Sequence, residues 1–527
     1  MNTCSLLRKV ALYNPERPAL IHGAEQLSYG QFYAHALAVG GNLLNLGLKP
    51  GDRVAFCLAN SPRILEVIYG CFAAGLIVVP MNARLHPREM AYIATNSGAR
   101  VLIHGGEYHA GINECLADFS TIEFRFCTEA AAGTRAYSEL LDKAKALSGP
   151  AEAGQTDPCW LFYTSGTTGR PKGATWSHRT ISVMSMNYLA DLHNIQPGEV
   201  VLHCAPLSHG SGIVALPAIA RGATQVIFDQ ASFDPKALCE TVQKYRVEHI
   251  AFMAPTQIVK MLEDYIPGAY DLSSLKAICY GGAPIYIEHL SKAIEIFGPV
   301  FTQLYGQGEA PITISGMRSA DHVRLLAAND KRIGSAGTIR TDVECRCVDE
   351  SGRELPPGEI GEITVRGDIV MLGYWNNPKA TAEAIRDGWL HTGDIGMVDA
   401  QGYLFLLDRS KDMIITGGNN VYPREVEEVI IQHPGVANVV VLGVPDDYWG
   451  EAVHAVVIRE PGQNVSAEEI IRYCAQYLAG YKKPKGVDFV TEFPVSGYGK
   501  VLKRELRERY WKDHEGVIGG AAKKKQA

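Results

Sequence analysis

No apolar stretch in this chain of 527 residues is long enough to cross a bilayer. The most apolar segment, residues 67–81, is broken by Gly70 and Gly75 and reads as a buried helix running into a strand. The first fifteen residues carry Arg8 and Lys9 with no long apolar run behind them, so they do not read as a signal peptide. An excess of positive charge is missing too. With 50 basic and 57 acidic residues the net charge is −7, which argues against a broad nucleic-acid surface but leaves room for local basic sites on a phosphorylated ligand. The twelve cysteines lack the paired spacing of a zinc site. Cys345 and Cys347 read as one face of a strand, and reduced thiols in a cytoplasmic protein fit best. No internal repeat of fixed period is visible.

What is present is an ordinary globular composition, 46% hydrophobic and 20% charged, in a chain too long for one core. Short β-branched strands at 54–58, 77–80, 101–104, 226–228, 250–253 and 277–280 alternate with helical stretches at 63–74, 235–245 and 285–297. That alternation predicts α/β layers with largely parallel sheets. After about Gly334 the texture becomes a small β-rich part, with strands at 344–348, 362–366 and 403–407. Beyond the charged string 408–412 comes a compact α+β pattern: helix 426–432, strands 436–444 and 452–458, helix 467–478. The expected division is therefore a large multi-subdomain N-terminal domain, 1–410, and a small C-terminal domain, 411–527.

The most informative segment is Tyr163-Thr-Ser-Gly-Thr-Thr-Gly-Arg-Pro-Lys-Gly173, which follows an apolar run suited to a strand. Thr164, Ser165, Thr167 and Thr168 supply hydroxyls, Gly166 and Gly169 let the backbone approach a ligand, and Arg170 and Lys172 add positive charge. Such a loop suits a polyphosphate. It is not a Walker A loop, because Lys172 follows Pro171 rather than a glycine.

Read with the segments that follow in order, this loop resembles the adenylate-forming superfamily of acyl-CoA synthetases, firefly luciferases and peptide-synthetase adenylation domains, over nearly the whole chain. Pro206-Leu-Ser-His-Gly-Ser-Gly212 is similar to the family's second core motif, which implies that His209 walls an acyl pocket with Gly210, Met253, Gly282 and Ala310. Gly281-Gly282-Ala283-Pro284 resembles the segment flanking adenine. Tyr305-Gly306-Gln307-Gly308-Glu309 resembles Tyr-Gly-x-Thr-Glu, which implies Tyr305 against adenine and Glu309, with Thr164, on Mg²⁺. Gly308 departs from the family, where a threonine hydroxyl contacts phosphate. Trp389-Leu-His-Thr-Gly-Asp394 implies Asp394 on the ribose hydroxyls, and Asp408-Arg409 implies Arg409 on ribose or phosphate. Lys411 falls at the family's hinge, which makes the small domain mobile. Gly417, Gly418 and Trp449 fall where CoA is bound, and Lys500, in Gly497-Tyr-Gly-Lys500 before a helical stretch at 501–510, falls at the adenylation lysine.

The resemblance implies a ligase that couples a carboxylic acid to AMP from ATP, releasing pyrophosphate, then transfers the acyl group to CoA. A carrier-protein thiol or oxygen as acceptor, or a silent nucleotide-binding relative, are the alternatives. The segments expected around the acyl group are small or apolar and show no second cation, which favours a neutral fatty or aromatic acid. A homodimer is a possible assembly.

Overall fold

Serine, proline and glycine fix the ends of the helix at the centre of the core. Ser61 precedes Pro62–Ala74, Pro62 takes the first helical position, and Gly75 closes the helix at φ 68°. Every residue of this helix except Arg63 is buried. It packs against the helix Tyr29–Asn45 at a glycine crossing. A Cβ on Gly40 would lie 2.7 Å from the Gly70 carbonyl, and one on Gly70 2.6 Å from Val39. The computed structural model describes residues 1–164, 170–230, 232–409, 412–446, 448–495 and 501–512. Ser165, Gly166, Thr167, Thr168, Gly169, Lys411 and Lys500 lie outside the described residues.

Two sheets enclose this core. The first runs Thr338–Ile339, Ser315–Met317, Phe301–Tyr305, Ala277–Gly281, His249–Met253, Val200–His203, Thr224–Ile227, Pro18–His22 and Glu25–Ser28. Its six inner strands are parallel, and its edges are antiparallel. The second runs from Arg135–Ala136 through Phe124–Cys127, Ala99–His104, Arg53–Cys57, Ile77–Pro80 and Pro158–Thr164 to Lys172–Ser177. Its last pair is an antiparallel hairpin flanking the glycine-rich loop. A third, antiparallel sheet contains Glu344–Val348, Gly361–Arg366, Trp389–Val398, Ile385–Arg386 and Leu404–Arg409. The strands Ile414–Thr416, Asn419–Val421, Val436–Asp446, Gly450–Arg459 and Gly486–Phe489 form a fourth sheet with its own apolar cluster. The fold is thus a large α/β part with layered sheets and a smaller α+β C-terminal part.

Some expected boundaries shift. The helix placed at 285–297 begins at Ile287, after Pro284, and that at 467–478 holds α geometry only to Cys474. The strand placed at 403–407 runs Leu404–Arg409, because its register with Trp389–Val398 continues to Asp394 opposite Arg409.

The core also holds a buried charge. Glu66 is fully buried and accepts from His35 Nδ1 at 2.7 Å, Arg63 Nη1 at 2.8 Å and the Tyr137 hydroxyl at 2.8 Å. Burial alone would raise its carboxyl, but His35, Arg63 and Tyr137 outweigh burial and hold it below the usual range. A depressed carboxyl contributes stability above its unfolded pKa and loses it as pH falls through the folded value. Glu66→Leu strands His35 and the Tyr137 hydroxyl, leaves Arg63 with Glu25 alone, and is expected to cost about 3–5 kcal/mol, read as a fall in the urea midpoint at constant slope.

Candidate active site

The carboxyl edges of the parallel strands meet the third sheet, and the family-like residues converge there. Asp394 is 8% exposed and sits at the centre of a donor cluster. Its Oδ2 accepts from the Tyr305 hydroxyl at 2.7 Å and the Gln307 amide at 2.6 Å, and its Oδ1 lies 3.1 Å from Arg409 Nε. The pairing of Asp394 with Arg409 across two antiparallel strands sets the last contact. Gln307 is held in turn by the Thr392 carbonyl at 3.0 Å and by a tight turn in which its N–H donates to Ala310 O. Burial lowers the Arg409 guanidinium, but the charges of Asp394 and Glu309 more than compensate and raise it. Burial and the Asp394 charge push the Tyr305 phenol well above its usual value, so it stays a donor.

Glu309 lies next in the chain. The Tyr374 hydroxyl donates to its Oε1 at 2.6 Å. Tyr374 reaches this position because segment 371–375 is bonded along the strand Lys172–Ser177: Leu372 N–H to Thr175 O at 2.9 Å, Thr175 N–H to Gly373 O at 2.9 Å and Trp375 N–H to Gly173 O at 2.8 Å. The Lys172 ammonium stands 5.1 Å from the Tyr374 ring centroid. The tyrosine therefore bridges the cation that closes the glycine-rich loop and the carboxylate expected to face Mg²⁺. Nothing in the local sequence marked Tyr374.

An aromatic wall runs beside this cluster. His209 precedes the helix Gly210–Arg221, and its ring stacks on Phe162 with centroids 4.6 Å apart. Phe162 stacks on Trp176 at 4.9 Å, and Trp176 Nε1 donates to Gly308 O at 2.7 Å. The alternation of Trp160 and Phe162 along one strand, opposite Trp176 on the next, is the sequence signal that could have found this wall. The Gly210 helix start is fixed from below by the fully buried His203, whose Nδ1 and Nε2 meet Ser211 Oγ and Gln225 Oε1, each at 2.9 Å. Burial pulls the His203 imidazole down to about 4, so it works as a neutral bridge.

One expected residue is placed differently. A Cβ on Gly210 would lie 3.2 Å from the Phe252 ring, so Phe252 is the residue of the strand His249–Met253 that meets this helix start. Met253, expected in the acyl pocket, packs instead with the second apolar cluster, among Leu238, Ile258, Met261 and Ile278. Gly308 has a local explanation. A Cβ there would collide with the Thr164 methyl and crowd the Phe162 ring, so the familiar threonine fits only if both move. Gly281 presses on Leu304 O in the neighbouring parallel strand, Gly282 takes φ 78°, and Ala310 is fully buried.

In the small domain, Gly417 and Trp449 meet. Gly417 N–H donates to Trp449 O at 2.9 Å, and the indole covers the Gly417 Cα so closely that no side chain fits. Gly418 takes φ 79°. Trp449 remains 43% exposed beneath the Lys485 ammonium, 4.8 Å from a ring centroid.

Comparison with known proteins agrees with this geometry. The AMP-binding enzyme family matches residues 7–375 and the AMP-binding enzyme C-terminal domain residues 425–500. Feruloyl-CoA synthase from Amycolatopsis sp is 38% identical over 502 residues, 95% of this chain and 97% of its own. The anthranilate CoA ligase AuaEII, solved with anthranoyl-AMP, superposes with a TM-score of 0.88 at 27% identity, covering 97% of each chain. MatB from Rhodopseudomonas palustris superposes over 97% of this chain and 99% of its own, with a TM-score of 0.86 in its ATP-bound form (30% identity) and 0.77 in its apo form (29%). No helix among the described residues is long and apolar enough to cross a membrane. The chain belongs to the AMP-binding enzyme family, the adenylate-forming acyl-CoA synthetases, and is an AMP-forming carboxylate–CoA ligase.

Proposed function

We propose that the acid this ligase activates is aromatic, of benzoate or cinnamate type. The observation that carries this is the pair of half-buried rings at the expected acyl site, His209, backed by the buried stack of Phe162 and Trp176, and Phe252, lying over Gly210. The His209 and Phe252 rings can meet an aromatic acid by offset or edge contacts that add about 0.5–1.5 kcal/mol per pair beyond area burial. The likeness to feruloyl-CoA synthase and to an anthranilate CoA ligase supports the same reading.

In this reading the Asp394 carboxylate and Arg409 hold the ribose, and Gly281 to Ala283 with Tyr305 hold adenine. The loop 164–169 and Lys172 cradle the phosphates. Lys500 places positive charge where the acid oxygen meets the α-phosphorus, so two anions can approach. Mg²⁺ supplies further charge on the phosphates when bound. Glu309 and Thr164 would hold it, and a carboxylate together with phosphate oxygens and water is the donor set this cation takes. The small domain, 411–527, then turns about Lys411 and brings Gly417, Gly418 and Trp449 to CoA. We place the enzyme in the cytoplasm, where twelve unpaired thiols are at home, as a homodimer testable by sedimentation.

A pyrophosphate-release screen over benzoates, cinnamates, fatty acids and dicarboxylates tests the substrate. Aromatic acids are expected to lead by at least about tenfold in kcat/KM. A medium or long fatty acid in the lead would overturn the aromatic assignment. Faster transfer to a phosphopantetheinylated carrier protein than to CoA would change the acceptor.

A further inference from the structure

A half-buried ion triad joins the two domains at a point the chemistry above does not use. Lys503 begins the helix Lys503–Trp511, three residues after Lys500. Its ammonium lies 3.0 Å from Glu427 Oε1 on the helix Pro423–Ile430 and 3.6 Å from Asp408 Oδ2 at the end of the large domain's third sheet. Glu427 Oε1 also accepts the Val441 N–H at 2.9 Å, which fixes it to the small domain. The rest of the Lys503 helix is bound there too, by Arg507 to Glu451 at 2.7 Å and by Trp511 Nε1 to Gly443 O at 3.0 Å. Asp408 is therefore the large domain's share of the triad. Its Oδ1 accepts the Arg409 N–H at 2.7 Å, while its buried Oδ2 has no hydrogen-bond partner among the described residues, and the nearest opposite charge there is the lysine at 3.6 Å.

We propose that Lys503 is a positioning residue: by neutralising Asp408 across the domain junction it holds the small domain in the orientation that serves adenylate formation. The next residue after Asp408 is Arg409, which contacts Asp394, so docking Lys503 here brings the start of its helix beside the expected nucleotide site. The closer superposition on ATP-bound MatB than on apo MatB fits this orientation. Burial raises the Asp408 carboxyl, Lys503 lowers it, and Glu427 raises it again with Asp412, so that it settles at about 6. Ionised at neutral pH, it gains hydration whenever the domains part, so the docked state depends on the lysine and stays reversible. The inference rests on the two-step reading and the assignment of Lys500.

The test measures both half-reactions in Lys503→Met, Lys503→Arg and Lys503→Met/Asp408→Asn, with Lys500→Met alongside. The methionine variant is expected to lose about tenfold or more in adenylate formation while transfer from synthetic acyl-adenylate to CoA stays within about threefold. Arginine should hold both, and the double variant should recover adenylate formation to within about threefold, because it removes the large domain's stranded carboxylate and leaves Glu427 held by the Val441 N–H inside the small domain. Lys503→Gln carries the same test if the methionine variant does not fold. Unchanged adenylate formation, equal loss of both steps, or a double variant as slow as the single one would overturn the proposal. If Lys500→Met itself forms adenylate at the normal rate, the failure lies in the site assignment instead.

Discussion

In a Lys500→Met variant, adenylate formation is expected to fall by about 10²–10³-fold, the scale set by removing one preorganised donor from a developing anion. The physical reason is the meeting of two like charges. The carboxylate must approach a triphosphate, and the dense negative charge at the α-phosphorus repels it until a cation sits between them. Thr164 and Lys172 flank the loop proposed to cradle the phosphates, and the Lys172 ammonium is already engaged over Tyr374 beside Glu309. In the proposed mechanism a second cation, Lys500, supplies the remainder. The second half-reaction has no such requirement, since the mixed anhydride is neutral at its carbonyl and the nucleophile is a thiolate. Capture of synthetic acyl-adenylate by CoA should therefore stay within about threefold of the parent enzyme. The measurement is acid-dependent exchange of pyrophosphate into ATP, set against release of AMP from preformed adenylate. Equal loss in both steps would assign Lys500 a structural role.

The residues expected at the nucleotide were legible because each sits inside a short segment that resembles a family motif. Asp394, Tyr305, Glu309 and Arg409 could be named from the sequence, and the structure brings all four to one place. Their supporting partners could not be read, because long-range pairing sets them. Tyr374 lies 65 positions from Glu309 and reaches it only through the backbone bonds of 371–375 to the strand Lys172–Ser177. The Met253 error has a similar source. Simple alternation along His249–Met253 breaks at a register shift between Ile250 and Met253, so Phe252 joins the first core and Met253 the second. The α/β class and the change of texture after residue 334 followed from strand and helix periods. The helices Cys4–Tyr13 and Tyr29–Asn45 did not stand out, because small residues such as Ala36, Gly40 and Gly41 take much of the buried face of the second.

Asp394→Ala is expected to lower kcat/KM for ATP by about 10²-fold, nearly all of it through nucleotide recognition. A carboxylate offers about four acceptor positions, and Tyr305, Gln307 and Arg409 already use three of them. A ribose diol must take the free position and displace one donor; Gln307 is the donor with somewhere else to go, since its amide also bonds Thr392 O. Each charge-assisted bond to a sugar hydroxyl is worth about 1.5–3 kcal/mol, so losing one or two accounts for the expected factor. Alanine also leaves Arg409 without its carboxylate, which adds to the cost. The decisive comparison uses ATP, 2′-deoxy-ATP and 3′-deoxy-ATP with both proteins. The parent enzyme should prefer ATP by about tenfold or more over each analogue, and in the alanine variant the three nucleotides should become nearly equivalent. If the variant still distinguishes ATP from both deoxy analogues, the ribose is held elsewhere, and the Tyr305–Asp394–Arg409 cluster serves to join the nine-stranded sheet to the third.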